Sequence, residues 1–356
     1  MGASPVIVPQ SQGLLFDAKT VFERRFMQMA TRPDYTSFTR LCGRDDPAGD
    51  LIRVFYTNPV GPMPEFKGQR HRLEVNLDYF DQTVRTFASG IAFNIFDAAP
   101  DSGTPLKAQA YLQANERLGE SAALLYPALF NQAIITGLTK KWGPDGANFW
   151  GLHYIDPRRP SLGTNRNYYA NNANGGNQAM PITYGNVLKV LQAGRRWKVP
   201  GGSAGQQRAV IYDKWATNPT NAPLLRRLLT VDRVPAWEAA GQTAGSTNAG
   251  GDVPNEIRQY WGGSEAQVEE VANMPEQYWM GLDTRAPSEM TFRVKERLPV
   301  IWQSIGGMGM VLPFPTPEGV VSEQVYRTME TEYGPLARGE IYMANIHAAV
   351  LCDSTP

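Results

Sequence analysis

Cysteine is nearly absent. Cys42 and Cys352 are the only two in 356 residues, they sit far apart, and neither belongs to a CxxC pair. That spacing argues against a disulfide framework and against a zinc site, and it fits a reducing, intracellular origin. Histidine is almost as scarce. His71, His153 and His347 are too few and too separated for a zincin pattern, and the chain has no Walker-type phosphate loop. Each histidine is expected on the surface or satisfied in a core, and no cofactor or metal is expected. Net charge is lacking too, with 34 basic against 34 acidic side chains. No global field draws such a chain to nucleic acid or to an anionic membrane, and basic residues come in scattered pairs such as Arg158/Arg159 and Arg226/Arg227. Strong nucleic-acid binding is therefore not expected to be its main business.

Long apolar runs are also missing. The start, MGASPVIVPQSQGLLFDAK, has no basic segment followed by an apolar stretch, and no later segment reaches the length of a membrane span. Val6 stands where a myristoylation signal needs Ser or Thr. A protein neither exported nor embedded is expected, with Met1 retained and no N-terminal propeptide removed. No repeat of about 20 to 50 residues is visible.

What is present is the composition of a folded protein, 42% hydrophobic and 19% charged, in a length that suits one large domain or two ordinary ones. Residues 1–50 read as an irregular arm with one short helix around Val21 to Ala30 and little core of its own. Leu51 to Tyr56 reads as a strand. After a Pro- and Gly-punctuated stretch, His71, Leu73, Val75, Leu77 and Tyr79 alternate with Arg70, Arg72, Glu74, Asn76 and Asp78, which predicts a long two-sided β-hairpin. Ile91, Phe93 and Ile95 mark a further strand. The longest helical signal opens at Thr104 as N-cap with Pro105 behind it and closes near Gly137. Its apolar stripe is Tyr111, Ala114, Leu118, Ala122, Leu125 and Leu129, its length is roughly 50 Å, and Pro127 is expected to kink it.

The second half alternates in type, which suggests a mixed α/β or α+β layer. An Asn-rich loop spans 156–181 and a helix runs from about Thr183 to Arg196. A buried strand is expected at Arg208 to Tyr212 and a short helix at Ala222 to Thr230. Residues 239–254, AAGQTAGSTNAGGDVP, are too small and polar to bury a core and should form a mobile loop. Met290, Phe292 and Val294 alternate with Glu289, Thr291, Arg293 and Lys295 as a strand, and Ile341 to Cys352 is a long apolar run.

Motifs for chemistry mostly fail on context. Gly201-Gly202-Ser203-Ala204-Gly205 has the GxSxG spacing of a nucleophile elbow, but a helix and loop precede the serine where the elbow needs a strand, so a flexible turn is expected. Glu265, Glu269 and Glu270 sit at helical spacing that a solvated face explains, although acid/base pairs distant in sequence stay open. Eight Trp and fifteen Tyr could line a sugar cleft, but they also suit large protein interfaces.

The order of segments, an arm, a long hairpin, a strand, a spine-like helix and then a compact mixed region, resembles the Hong Kong 97-type capsid fold. Over roughly residues 20 to 160 the chain is most similar to the Mu-like major head protein family. That likeness is carried by Gly68-Gln69-Arg70, Gly119-Glu120-Ser121-Ala122-Ala123, and Asp145-Gly146-Ala147-Asn148-Phe149-Trp150 ahead of His153. The resemblance implies an α+β fold with an N-terminal arm (1–50), an extended hairpin loop (51–85), a peripheral domain with the long helix (86–150), an axial domain (151–310) and C-terminal strands returning to that core (311–356). It implies a major capsid protein of a tailed bacteriophage, not an enzyme, assembled in the bacterial host cytoplasm and located in the virion. Its partners would be copies of itself as hexamers and pentamers, a portal and a separate scaffolding protein, a decoration protein in some shells, and double-stranded DNA on the inner face. No membrane partner is implied. Candidate subunit-interface residues are Lys67, Arg70, Arg72, Leu73, Val75 and Leu77 on the hairpin. Two alternatives stay open, an encapsulin-like protein compartment and a carbohydrate-active hydrolase.

Overall fold

The computed structural model describes residues 8–56, 78–94, 105–142, 145–157, 159–170, 179–199, 206–239, 251–260, 267–286, 290–304 and 330–355. The fold is α+β and is organised by two five-stranded sheets. The first is built on two long antiparallel strands, Phe292–Ser304 and Glu330–Met343. Cys42–Arg44 pairs in parallel with the start of one. Arg85–Ala88 and Ile91–Asn94 both pair with the other, at different heights. Between those two short strands the carbonyl of Ser89 passes so close over Gly334 that no side chain fits there.

The second sheet has the order Tyr168–Tyr169, Ala349–Asp353, Tyr278–Leu282, Lys214–Thr217, Gln267–Glu270, with both parallel and antiparallel pairings. Its central strands are buried on both faces, which explains their unbroken apolar runs. Trp215, Trp279, Val350 and Cys352 point into a core shared with the helices Tyr184–Arg195 and Ala222–Thr230. Ala216, Met280, Ala349 and Leu351 point the other way, toward Phe130, Ile134 and Phe292 of the first sheet's core. The period of two in strand geometry thus assigns alternate residues to two different cores. Trp215 and Trp279 stack with centroids 5.8 Å apart.

Several sequence expectations need correction. The N-terminal helix is not confined to Val21–Ala30 but runs Val8–Ala30, followed by a second helix Pro33–Leu41. Nor does this segment lack a core, because Ala18 and Phe22 are buried against the long helix. That contact depends on Gly119, where a Cβ would lie 2.7 Å from the Phe22 carbonyl oxygen. The closest approach therefore falls on the line Asn115, Gly119, Ala123, all buried, while Tyr111, Ala114, Leu118, Ala122 and Leu125 of the expected stripe are only half-buried. The long helix is interrupted at Leu124, giving Pro105–Ala123 and Leu125–Gly137. The break precedes Pro127 by three residues because the proline nitrogen cannot donate to the carbonyl of Ala123.

Arg208 to Tyr212 is not a strand. The strand lies later, at Lys214–Thr217, although Val210 and Tyr212 are buried as expected. The apolar run Ile341 to Cys352 is shared between the end of Glu330–Met343 and the separate Ala349–Asp353, in different sheets. Glu269 and Glu270 lie on the strand Gln267–Glu270, not on a helix. Within 239–254, Asp252–Pro254 forms a short strand against Arg233–Pro235, and 240–250 lie outside the described residues. Leu51–Tyr56, Tyr184–Arg195 with Thr183 as N-cap, and Ala222–Thr230 stand where the sequence placed them.

Candidate assembly surface

The hairpin stem is a two-stranded ribbon, Leu51–Tyr56 against Asp78–Thr83, that joins neither five-stranded sheet. Ile52 and Val54 turn into the first core, whereas Leu51 and Arg53 face solvent. Arg53 pairs across the ribbon with Asp81 at 3.0 Å. All six sequence-predicted interface residues, Lys67, Arg70, Arg72, Leu73, Val75 and Leu77, lie outside the described residues, beyond the stem.

At the stem's base a set of charges gathers that the sequence did not disclose. Asp50 accepts from Arg297 at 3.2 Å and from Arg338 at 2.7 Å, and its carbonyl takes the amide of Val84 at 2.9 Å. Lys295, 6% exposed, donates to the Leu51 carbonyl at 3.2 Å. It stands directly across the sheet from Glu340, 2% exposed, which takes both arms of Arg85 at 2.5 and 2.9 Å. Arg293 pairs with Asp45 at 2.8 Å, and Tyr342 donates its hydroxyl to the same carboxylate. Burial, with the adjoining Asp45, raises the Tyr342 hydroxyl pKa well above its ordinary value. Alternation puts Arg293 and Lys295 on the face opposite Phe292 and Val294. Lys295 there holds the base of the ribbon, and Arg293 holds the segment leading into it through Asp45. The partners are 244 to 288 residues apart for Lys295 with Leu51 and Asp50 with Arg338, so no local pattern reveals them.

Beside the stem a groove of about 470 Å³ runs between the first two helices and the long helix, lined by Phe26, Tyr35, Phe38, Ala122, Tyr126 and Val300. Tyr126 donates to Glu296 at 2.9 Å, and burial holds its hydroxyl pKa far above the usual value.

The motif ahead of His153 has a structural use. Asp145 meets His153 Nδ1 at 2.7 Å, the Phe149 carbonyl meets Nε2 at 2.8 Å, and Trp150 donates to the Ile134 carbonyl at 2.9 Å. His347 is half-buried edge-on to Trp197, and its pKa falls to about 3 because desolvation of the ring opposes its charge, with His153 and Arg208 adding to the effect and Asp145 working against it. Cys42 and Cys352 are free and buried, and burial pushes both thiols up. Glu269 pairs with Arg40 at 2.6 Å and Glu270 with Arg226 at 3.0 Å, so those two carboxylates serve separate ion pairs. Glu265, His71 and the Gly201–Gly205 segment lie outside the described residues. Among the described residues no group of three His, Cys, Asp or Glu is placed to hold a metal, and no helix is long and apolar enough to cross a membrane.

No protein-family model and no curated protein matches the chain. Among solved structures it is similar to a virus-like particle from Pyrococcus furiosus, at 11% identity and a TM-score of 0.46, covering 94% of this chain and 97% of that one. It is similar to the capsid of a native GTA particle at 14% identity and a TM-score of 0.45, covering 90% and 91%. It is also similar to the procapsid of bacteriophage JBD30 at 13% identity and a TM-score of 0.42, covering 99% and 77%. All three TM-scores lie below 0.5, so the functional reading rests on the chain's own geometry.

Proposed function

We propose that this chain is a shell-forming structural subunit, the major capsid protein of a tailed bacteriophage with a Hong Kong 97-type fold. The observation that carries the reading is the ribbon Leu51–Tyr56/Asp78–Thr83, anchored at its base and paired with neither main sheet. It leads into residues 57–77, where Leu73, Val75 and Leu77 fall on one face by alternation. An isolated two-stranded ribbon is marginal in water and gains stability by lying on another chain. Repeated around closed symmetry, such overlaps multiply buried area per subunit and hold a shell through many modest contacts.

On this reading residues 1–50 act as an arm, 51–85 as the extended loop, 86–150 as the peripheral domain, 151–310 as the axial domain, and 311–356 return to the core. Lys67, Arg70, Arg72, Leu73, Val75 and Leu77 meet neighbouring copies, and the shell works with a portal and a scaffold around double-stranded DNA. The test is the triple variant Leu73→Ser, Val75→Ser, Leu77→Ser. Monomer folding should persist while closed particles disappear from electron micrographs, because each copy loses intermolecular apolar burial at about 25 cal/mol per Å². A variant that unfolds as a monomer would place this face in an internal core and overturn the reading.

A further inference from the structure

The chain is neutral overall, but its charge is unevenly placed. Between Asp156 and Asp213 there is no Asp or Glu at all, while the same stretch carries eight Lys and Arg residues. Because the whole chain balances, the remainder carries a matching net charge of −8. An acid-free stretch of this length is a local field that the total conceals.

The fold brings part of it together around one turn. The helix Tyr184–Arg195 ends in Arg195 and Arg196, and the chain turns at once into a small ribbon, Lys198–Val199 against Gln206–Gln207. Gln207 donates its side chain to the Arg195 carbonyl at 3.0 Å, and the Arg208 amide donates to the Trp197 carbonyl at 2.7 Å. Arg195, Arg196, Lys198 and Arg208 are all exposed, while Trp197 between them is buried and fixes the turn in the core. Asn165 clamps Lys198 from the neighbouring segment, donating to its carbonyl at 2.7 Å and accepting from its amide at 3.0 Å, which brings Arg166 alongside. The Asp145 carboxylate that acts on His347 in this region is itself buried and taken up by His153.

We propose that this surface, built on Arg195, Arg196, Lys198 and Arg208, binds the phosphate backbone of duplex nucleic acid without reading its sequence. Cations held around a hydrogen-bonded turn suit phosphate contacts, and the segment itself contributes no carboxylate to oppose them. The shell reading supplies the identity of that duplex, the packaged DNA, and the patch would then face the interior.

The experiment is a fluorescence-anisotropy titration of a random-sequence DNA duplex with the unassembled full chain, from 50 to 200 mM salt. Four phosphate contacts give a slope of log K against log salt of about −3.6, an affinity loss of about 150-fold across that range. Each single change, Arg195→Gln, Arg196→Gln, Lys198→Gln or Arg208→Gln, should flatten the slope by about 1, and the fourfold variant should abolish binding. A control that neutralises Arg226 and Arg227, which pair with Glu270 and Glu238 elsewhere, should leave the slope unchanged. The single variants keep the test decisive should the fourfold variant fail to fold. No binding by the parent chain, or an equal effect from the control, would overturn the assignment. So would single variants that bind duplex normally but fail to form particles, since the patch would then meet an acidic surface of a neighbouring copy. Particle formation scored in the same preparations tests the shell reading separately. A parent chain that forms particles but does not bind duplex when unassembled would remove this patch and leave that reading standing.

Discussion

Gly119 sets the distance between two helices, since the carbonyl of Phe22 lies where its Cβ would be. Gly119→Ala gains about 1 kcal/mol of helix propensity but forces a side chain against backbone that cannot rotate away, at about 1–3 kcal/mol. The clash should win, so Gly119→Ala lowers the denaturant midpoint of the unassembled protein and Gly119→Val lowers it further. A midpoint raised by Ala would mean that the N-terminal helix shifts without cost. His347 makes a second prediction. It is neutral when folded down to about pH 3 but protonates near its ordinary pKa of 6.5 when unfolded. The unfolded chain therefore binds more protons between those values, and stability present above pH 6.5 is lost as the pH falls toward 3. His347→Phe should flatten that part of a urea-midpoint profile against pH. An unchanged slope would assign the acid sensitivity to carboxylates instead.

At the scale of elements, the anchored base of the hairpin separates stability from orientation. Asp50 is half-exposed, so Asp50→Ala should cost under about 1 kcal/mol of global stability. It also releases Arg297 and Arg338 from the ribbon, so amides of Leu51–Tyr56 should exchange with solvent much faster while those of Tyr278–Leu282 keep their protection. Equal exchange in both strands would show that Asp50 does not hold the stem. Local signals made some elements legible: the helix from about Thr183, the strand Leu51–Tyr56, and the Pro and Gly that bound the long helix. They failed where tertiary contacts decide. The charges under the hairpin are recruited from strands hundreds of residues away. Ile341 to Cys352 reads as one run because both pieces are buried, and only the turn at 344–348 sends them to different sheets. Of the proposed assembly surface, the stem strand Leu51–Tyr56 was legible in the sequence, whereas its anchorage was not.

At the scale of the whole molecule, the proposed shell would hold without covalent links. Joining Lys67 to a neighbour's side chain would need its amine deprotonated in a dry pocket, and its sequence neighbours Phe66 and Gly68 supply no partner for that, so an ordinary charged contact is expected. Particles boiled in detergent should run as one band near 39.4 kDa, and a ladder abolished by Lys67→Ala would contradict this. The two sheets also draw together strands from opposite ends of the chain. Ala349–Asp353, late in sequence, occupies an interior place between Tyr168–Tyr169 and Tyr278–Leu282. During translation that slot stays open, with apolar strand edges exposed, until the ribosome has passed Asp353 and its exit tunnel has released the strand. The core that this strand divides from its neighbour therefore closes last, however early the strands on either side of the slot are made.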